Sequence, residues 1–144
     1  MHIRAARSDE SELLHAIWLR SVRATHDFVA ADDLQSFIPL VRTYLTTATD
    51  LDVLCDGDTV IGFMGMTGSQ IDILFLEPDH LRRGGGRLLI DHARARHGEL
   101  TVDCNEQNVA ACRFYAACGF VVEGRSPLDT TGRPYPLVHM RWRQ

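Results

Sequence analysis

The sequence contains no lysine: all 15 of its basic residues are arginine. A Walker-type phosphate loop, which ends in Gly-Lys-Ser/Thr, is therefore excluded, and so is Schiff-base chemistry on a lysine. Positive charge is carried only by planar, always ionised groups suited to bidentate contacts with phosphate. Basic residues are also outnumbered, 15 to 19, and the net charge is −4. That balance argues against nucleic acid or an anionic membrane surface as partner, since both need a basic footprint. No apolar run approaches the roughly 20 residues that span a bilayer, and the start, Met1 to Arg7, has no signal-like apolar segment. The four cysteines (Cys55, Cys104, Cys112, Cys118) form no Cys-x-x-Cys pair and no zinc-ligand spacing. They read as reduced core thiols, in a cytoplasmic protein without a metal.

What is present fits one domain, residues 1–144, of mixed α+β class. Ile3 to Arg7 reads as a short strand. Ser8 is a candidate cap for a helix from Asp9 to Arg23, whose apolar face is Leu13, Leu14, Ile17, Trp18 and Val22. After the break at Thr25–Phe28, a second helix is expected over Ala31–Thr47, kinked or split at Pro39. Leu51–Cys55 and Val60–Thr67 flank Asp56-Gly57-Asp58 as a hairpin, and Ile71–Leu76 is a further strand. A helix follows the Gly84-Gly85-Gly86 run and reaches about His97. Leu100–Cys104 is a strand and Gln107–Ala117 a helix with Gly119 as its left-handed cap. Phe120–Glu123 and Pro136–Trp142 are the last strands.

Two segments carry chemistry. Glu77-Pro78-Asp79-His80-Leu81-Arg82-Arg83-Gly84-Gly85-Gly86-Arg87 lies between a strand and a helix. Glycines there admit close backbone approach and positive φ, and the helix start offers free N–H groups to an anion. By itself such a run serves equally as a turn with solvated arginines. In the second segment, Asn105 to Phe120, Asn108 and Tyr115 stand seven apart, two turns along one helix face, with Phe114 rotated toward the core. Taken alone, Tyr115 reads as a core tyrosine with a satisfied hydroxyl.

Taken together the two segments resemble GNAT-type N-acetyltransferases. The first is similar to that family's Arg/Gln-x-x-Gly-x-Gly/Ala loop. The second is similar to its Asn-x-x-Ala-x-x-Phe-Tyr-x-x-x-Gly-Phe pattern, at Asn108, Ala111, Phe114, Tyr115, Gly119 and Phe120. The resemblance runs through the chain, and residues 16–18, 21–28 and 132–137 look like a small bacterial subfamily. It implies a mostly antiparallel central sheet splayed between strands 4 and 5 and flanked by helices. It also implies acetyl transfer from acetyl-CoA to a primary amine, by direct attack in a ternary complex. One departure is that the loop's Arg/Gln position falls on Leu81.

The resemblance implies a donor site at Leu74, Phe75, Leu76, Leu81, Arg82, Arg83, Gly84, Gly85, Gly86, Arg87, Asn105, Asn108 and Tyr115. Backbone N–H groups of the loop carry the diphosphate, and Leu74 or Phe75 supplies an oxyanion donor. Tyr115 is the general acid toward the CoA thiolate. The amine's proton goes to Asp72, His26, His139 or water. Asp72 is expected to face the cleft because Ile71 and Ile73 point the other way. The acceptor pocket is expected at Trp18, Arg23, His26, Asp27, Phe28 and Tyr135, for a small-molecule or peptide amine, on a monomer or homodimer. The competing reading is an acyl-CoA sensor or interaction module without catalysis. A dinucleotide-binding domain is excluded, because no Gly-x-Gly-x-x-Gly spacing occurs.

Overall fold

The computed structural model describes all 144 residues. Strand β1 (His2–Ala5) leads to helix α1 (Ser11–Thr25) and helix α2 (Ala31–Thr47). Strands β2 (Leu51–Asp56), β3 (Thr59–Thr67) and β4 (Gln70–Leu76) follow as an antiparallel meander. A 3-10 turn at Pro78–His80 then precedes helix α3 (Gly85–Arg94). Strand β5 (Glu99–Asn105), helix α4 (Val109–Ala117), strand β6 (Val121–Ser126) and strand β7 (Leu137–Arg143) complete the chain.

The sheet has the order β1-β2-β3-β4-β5-β7-β6 and is antiparallel except where β4 meets β5. That parallel contact pairs only Gln70 with Thr101 and Ile71 with Val102. Beyond it the two strands separate, leaving a wedge between the halves of the sheet. The backbone groups that a neighbouring strand would have satisfied are thus left for a ligand.

Each sheet face has its own core. Leu14, Ile17, Trp18 and Val22 of α1 recur at helical spacing and pack with Leu45 of α2 on Val53, Cys55 and Phe63. On the opposite face Leu89, Ile90 and Ala93 of α3 and Tyr115 of α4 cover Leu54, Leu76, Leu100, Val102 and Met140. Alternation along β5 sends Leu100, Val102 and Cys104 into this second core. Thr101, Asp103 and Asn105 therefore face the other way.

Several local expectations are corrected. Ser8 does not cap α1, which begins two residues later than expected, at Ser11. Glu10 shapes the turn instead, accepting from Arg7 N–H at 2.7 Å and clamping the Arg4 guanidinium at 2.8 Å. Pro39 does not split α2, which is unbroken from Ala31 to Thr47. Pro39 and Gln35 are both exposed, so the carbonyl that loses its donor faces water. Helix α3 begins at Gly85, not after the glycine run, and ends at Arg94 short of His97. Helix α4 begins at Val109, not Gln107.

Candidate active site

The donor side begins at the turn before α3. Arg82 (φ 64°) and Gly84 (φ 85°) both adopt the left-handed conformation, with Arg83 between them. Alternation of hand turns successive N–H groups toward one concave side, the geometry that cradles phosphate, and the first turn of α3 adds its own free N–H groups. Only Gly84 has open space around it. A side chain on Gly85 would meet Leu54 at 2.7 Å, and one on Gly86 would meet the Phe114 ring at 2.9 Å. The second and third glycines therefore let α3 settle on the core, and only the first is a conformational requirement of the turn. Leu81, Arg82 and Arg83 are exposed, and neither arginine forms an ion pair. Arg87 is partly committed, donating to the Ala117 carbonyl at the end of α4 at 3.2 Å.

Strand β4 supplies the next stretch. Glu77 N–H donates to Ile61 O at 2.7 Å, and Phe75 lies opposite Phe63 and Ile73 opposite Gly65. In an antiparallel ladder the bonded residues alternate. Residues 73, 75 and 77 therefore bond to β3, while Leu74 and Leu76 turn N–H and C=O toward the wedge. Of the two expected oxyanion donors this leaves Leu74, since Phe75 bonds to β3. The open turn, the unpaired strand edge and the two uncommitted arginines are suited to a long diphosphate-bearing ligand.

Tyr115 is buried between Phe114 and Phe120, with ring centroids 5.1 and 5.4 Å away. Its hydroxyl has no partner within the chain and is not among the sealed, unpartnered polar atoms, so it reaches solvent. Burial pushes its pKa up, with the nearby thiols of Cys104, Cys118 and Cys112 adding to the effect. The expectation that Asn108 shares a ligand-facing helix side with Tyr115 is corrected. Asn108 is the N-cap of α4, and its Oδ1 accepts from Ala111 N–H at 3.1 Å. Asn105 lines the cleft.

On the α1/α2 side of the wedge lies a cavity of about 600 Å³. Its inner wall is apolar, including Trp18, Val22, Phe37, Val41, Ile73 and Phe75. Its polar lining includes Tyr44, Thr67, Asp72, Asp103, Asn105 and Asp129. Three carboxylates thus line it and no arginine does. Of the expected acceptor residues Trp18, His26 and Tyr135 line this space. Arg23 and Asp27 do not and are exposed. Both follow the last buried turn of α1, where the chain has already turned its polar side to water. Phe28 is not part of the lining either. It packs behind, on the rings of His26 and Tyr135, at 5.3 and 6.2 Å.

The chain between β6 and β7 closes one side of the cavity. Tyr135 donates its hydroxyl proton to Asp33 and accepts from Ala30 N–H. Arg133 Nε donates to the other oxygen of Asp33 at 3.1 Å while its guanidinium stacks over Phe37.

The three candidate proton acceptors differ. Asp72 is the extra residue of a bulge: Gly65 pairs with Ile73 but Met66 pairs with Ile71. Ile71 and Ile73 consequently point to opposite faces, Ile71 into the α3/α4 core and Ile73 toward α1 and α2. The expected reason for the orientation of Asp72, strict alternation, is thus overturned, while the bulge itself aims the side chain toward α2. There its Oδ2 accepts from Tyr44 Oη at 3.1 Å and from Thr67 Oγ1 at 2.6 Å. No group of the chain bonds Oδ1. Tyr44, Thr67 and Gly65 escaped the sequence reading, although Tyr44 follows Val41 and Phe37 at helical spacing.

His26 Nδ1 lies 2.7 Å from Thr25 Oγ1, whose proton goes to Ser21 O at 2.7 Å. Nδ1 must therefore be the donor, and Nε2 keeps its lone pair. Burial lowers the His26 pKa to about 4, against a smaller opposing effect of Asp27, so the ring is a neutral part of the wall. His139 is taken up at both nitrogens, by Asp103 at 2.6 Å and Ser126 at 2.7 Å, and does not line the cavity. Its bonds tie β5, β7 and β6 together on an open, solvent-facing stretch of sheet.

A sheet split after one short parallel contact, with an anion-ready turn on one side and an acidic cavity on the other, defines an acyl-transfer scaffold. The acetyltransferase (GNAT) domain model matches residues 47–122, and the chain belongs to that family of acetyltransferases. It is 44% identical over 140 residues to the peptidyl-lysine N-acetyltransferase YjaB of Escherichia coli, covering 97% of this chain and 95% of that one. The solution structure of apo YjaB superposes with a TM-score of 0.91 over 98% of this chain and 96% of the other. The peptidyl-lysine N-acetyltransferase YiaC of E. coli is 33% identical over 134 residues, covering 92% and 91%. The fold is shared with the PaiA N-acetyltransferase of Thermoplasma acidophilum in complex with coenzyme A, at 19% identity and TM-score 0.76 over 99% and 98%.

Proposed function

We propose that this acetyltransferase uses acetyl-CoA as donor and lysine side chains of proteins or peptides as acceptors. The observation that carries this reading is the cavity of about 600 Å³, whose lining includes Asp72, Asp103 and Asp129 and no arginine. A lysine is a long apolar stem with a cationic tip. The stem suits the wall of Phe37, Val41 and Phe75, and the carboxylates attract the tip. The names of YjaB and YiaC, similar to this chain along nearly all its length, support the same acceptor class.

The chemistry assigns each residue a task. The loop N–H groups at 82–86, with Arg82 and Arg83, hold the diphosphate of the donor, whose thioester carries the activated acetyl group. A lysine ammonium has a pKa of about 10.4 and cannot attack while protonated. Asp72 Oδ1 receives that proton, directly or through one water. Leu74 N–H faces the oxygen that gains charge as the amine adds. Tyr115, held protonated by burial, donates to the departing thiolate.

The test mixes the protein with acetyl-CoA and a lysine-containing peptide, and follows thiol release with the mass of the peptide. One acetyl mass per released thiol, lost when the peptide's amines are blocked, is the expected result. Tyr115→Phe should lower kcat by about 100-fold with acetyl-CoA affinity within about twofold. Firm acetyl-CoA binding with no transfer to any lysine peptide overturns the acceptor, and full turnover by Tyr115→Phe removes the phenol from the reaction.

A further inference from the structure

Asp72 stands on a bulge, and an unsupported carboxylate there would sample several rotamers. Three features remove that freedom. Tyr44 reaches down from α2 and donates to Oδ2 at 3.1 Å, and Thr67 at the end of β3 donates to the same oxygen at 2.6 Å. Gly65 is the third feature. The Tyr44 hydroxyl occupies the place where a side chain on residue 65 would stand, so the contact depends on glycine at that position. Both donors converge on one oxygen and leave Oδ1 for the acceptor, and all four of the groups Tyr44, Thr67, Asp72 and Ile73 line the cavity. Tyr44 itself is kept protonated, and so a donor, first by burial and then by the Asp72 charge beside it.

We propose that Tyr44, assisted by Thr67 and given room by Gly65, is a positioning residue that pins Asp72 Oδ2 and thereby presents Oδ1 to the incoming amine. This rests on the reading of Asp72 as proton acceptor. The pin belongs to the acceptor half of the reaction only. It touches neither the phosphate turn nor Tyr115.

The experiment compares wild type, Tyr44→Phe, Thr67→Val, Thr67→Ser, the Tyr44→Phe/Thr67→Val pair and Asp72→Asn. Two independent quantities are read. The first is the χ1 order of Asp72, from three-bond couplings in the intact protein. The second is kcat/KM for a lysine peptide, alongside acetyl-CoA affinity. A hydrogen bond to a charged group is strong enough for its loss to be visible. Tyr44→Phe and Thr67→Val should each lower kcat/KM about tenfold, and Thr67→Ser, which keeps the donor, should restore nearly full activity. Acetyl-CoA affinity should stay within about twofold throughout. Asp72 should pass from one rotamer in the wild type to averaging in the paired variant.

An Asp72 that stays in one rotamer without both hydroxyls overturns the pin, whatever the activities. A paired variant with unchanged kcat/KM also overturns it. If Asp72→Asn turns over normally, the proton-acceptor reading fails, and the catalytic purpose of the pin fails with it. Should Tyr44→Phe not fold, the Thr67→Val and Thr67→Ser contrast decides alone.

Discussion

A position that matches a family pattern can be spent on chemistry or on structure, and the residues around α4 show both outcomes. Asn108 is used as a cap, where a short polar side chain completes a helix start. Tyr115 is packed like a core residue yet keeps its hydroxyl free. His26 shows how burial decides a residue's role. Its pKa of about 4 lies below the ordinary value of about 6.5, because the charged ring would be desolvated. The unfolded chain therefore binds a proton that the native protein refuses between those two values. This contribution to stability is complete above pH 6.5 and is lost as pH falls toward 4. Its size is about 2 kcal/mol, somewhat below the full shift because the ring is partly exposed. Denaturant melts of wild type and His26→Phe between pH 7 and 4.5 should differ in slope, the variant losing less stability on acidification. Parallel curves would show that the ring is protonated without penalty.

At the scale of elements, the decisive features are two interruptions of regular strand geometry. The wedge exists because β4 and β5 pair at only two positions, and the bulge exists because residue 72 has no partner on β3. The turn into α3 is a third, and its three glycines are not equivalent. Gly84 needs its left-handed φ, whereas Gly86 needs the space taken by Phe114. Gly86→Val should thus act first as an overpacking change, costing about 2 kcal/mol, with acetyl-CoA affinity falling because α3 is displaced. Thermal melts and donor titrations on the same preparation test this. A variant of unchanged melting temperature that binds acetyl-CoA weakly would place Gly86 at the ligand instead.

The whole molecule carries a consequence of its missing lysine. With no lysine, the chain carries no side-chain amine of its own that an acetyl group could reach. Incubation with acetyl-CoA alone should leave the internal side chains free of acetyl amides. Peptide mapping of the treated protein checks this, and an acetylated arginine or any other internal amide would contradict it. Replacement of lysine by arginine also shapes the surface. Arginines such as Arg141, which bridges Glu99 and Glu123 across the β5–β7–β6 stretch, make forked contacts a lysine cannot. No helix of the molecule is long and apolar enough to cross a membrane.

The order of elements, the glycine turn before α3 and the Asn108–Phe120 segment were readable from residues alone, because glycine placement, helical period and strand alternation are local properties. Local reading also found Trp18, His26, Tyr135 and Asp72 for the cleft. It went astray where an outcome depends on what a residue meets across space. Arg23 and Asp27 sit beside the cavity in sequence but outside it, and Asn108 is occupied by its own helix. Asp72 faces α2 through a bulge that no alternation pattern announces, and Tyr44 joins it only because α2 crosses β3 at a residue without a side chain. The chain's covalent order determines which groups are available and roughly how each segment is shaped. Packing of segments distant in sequence determines which of those groups share a cavity, since that depends on distances and desolvation that exist only in the assembled fold.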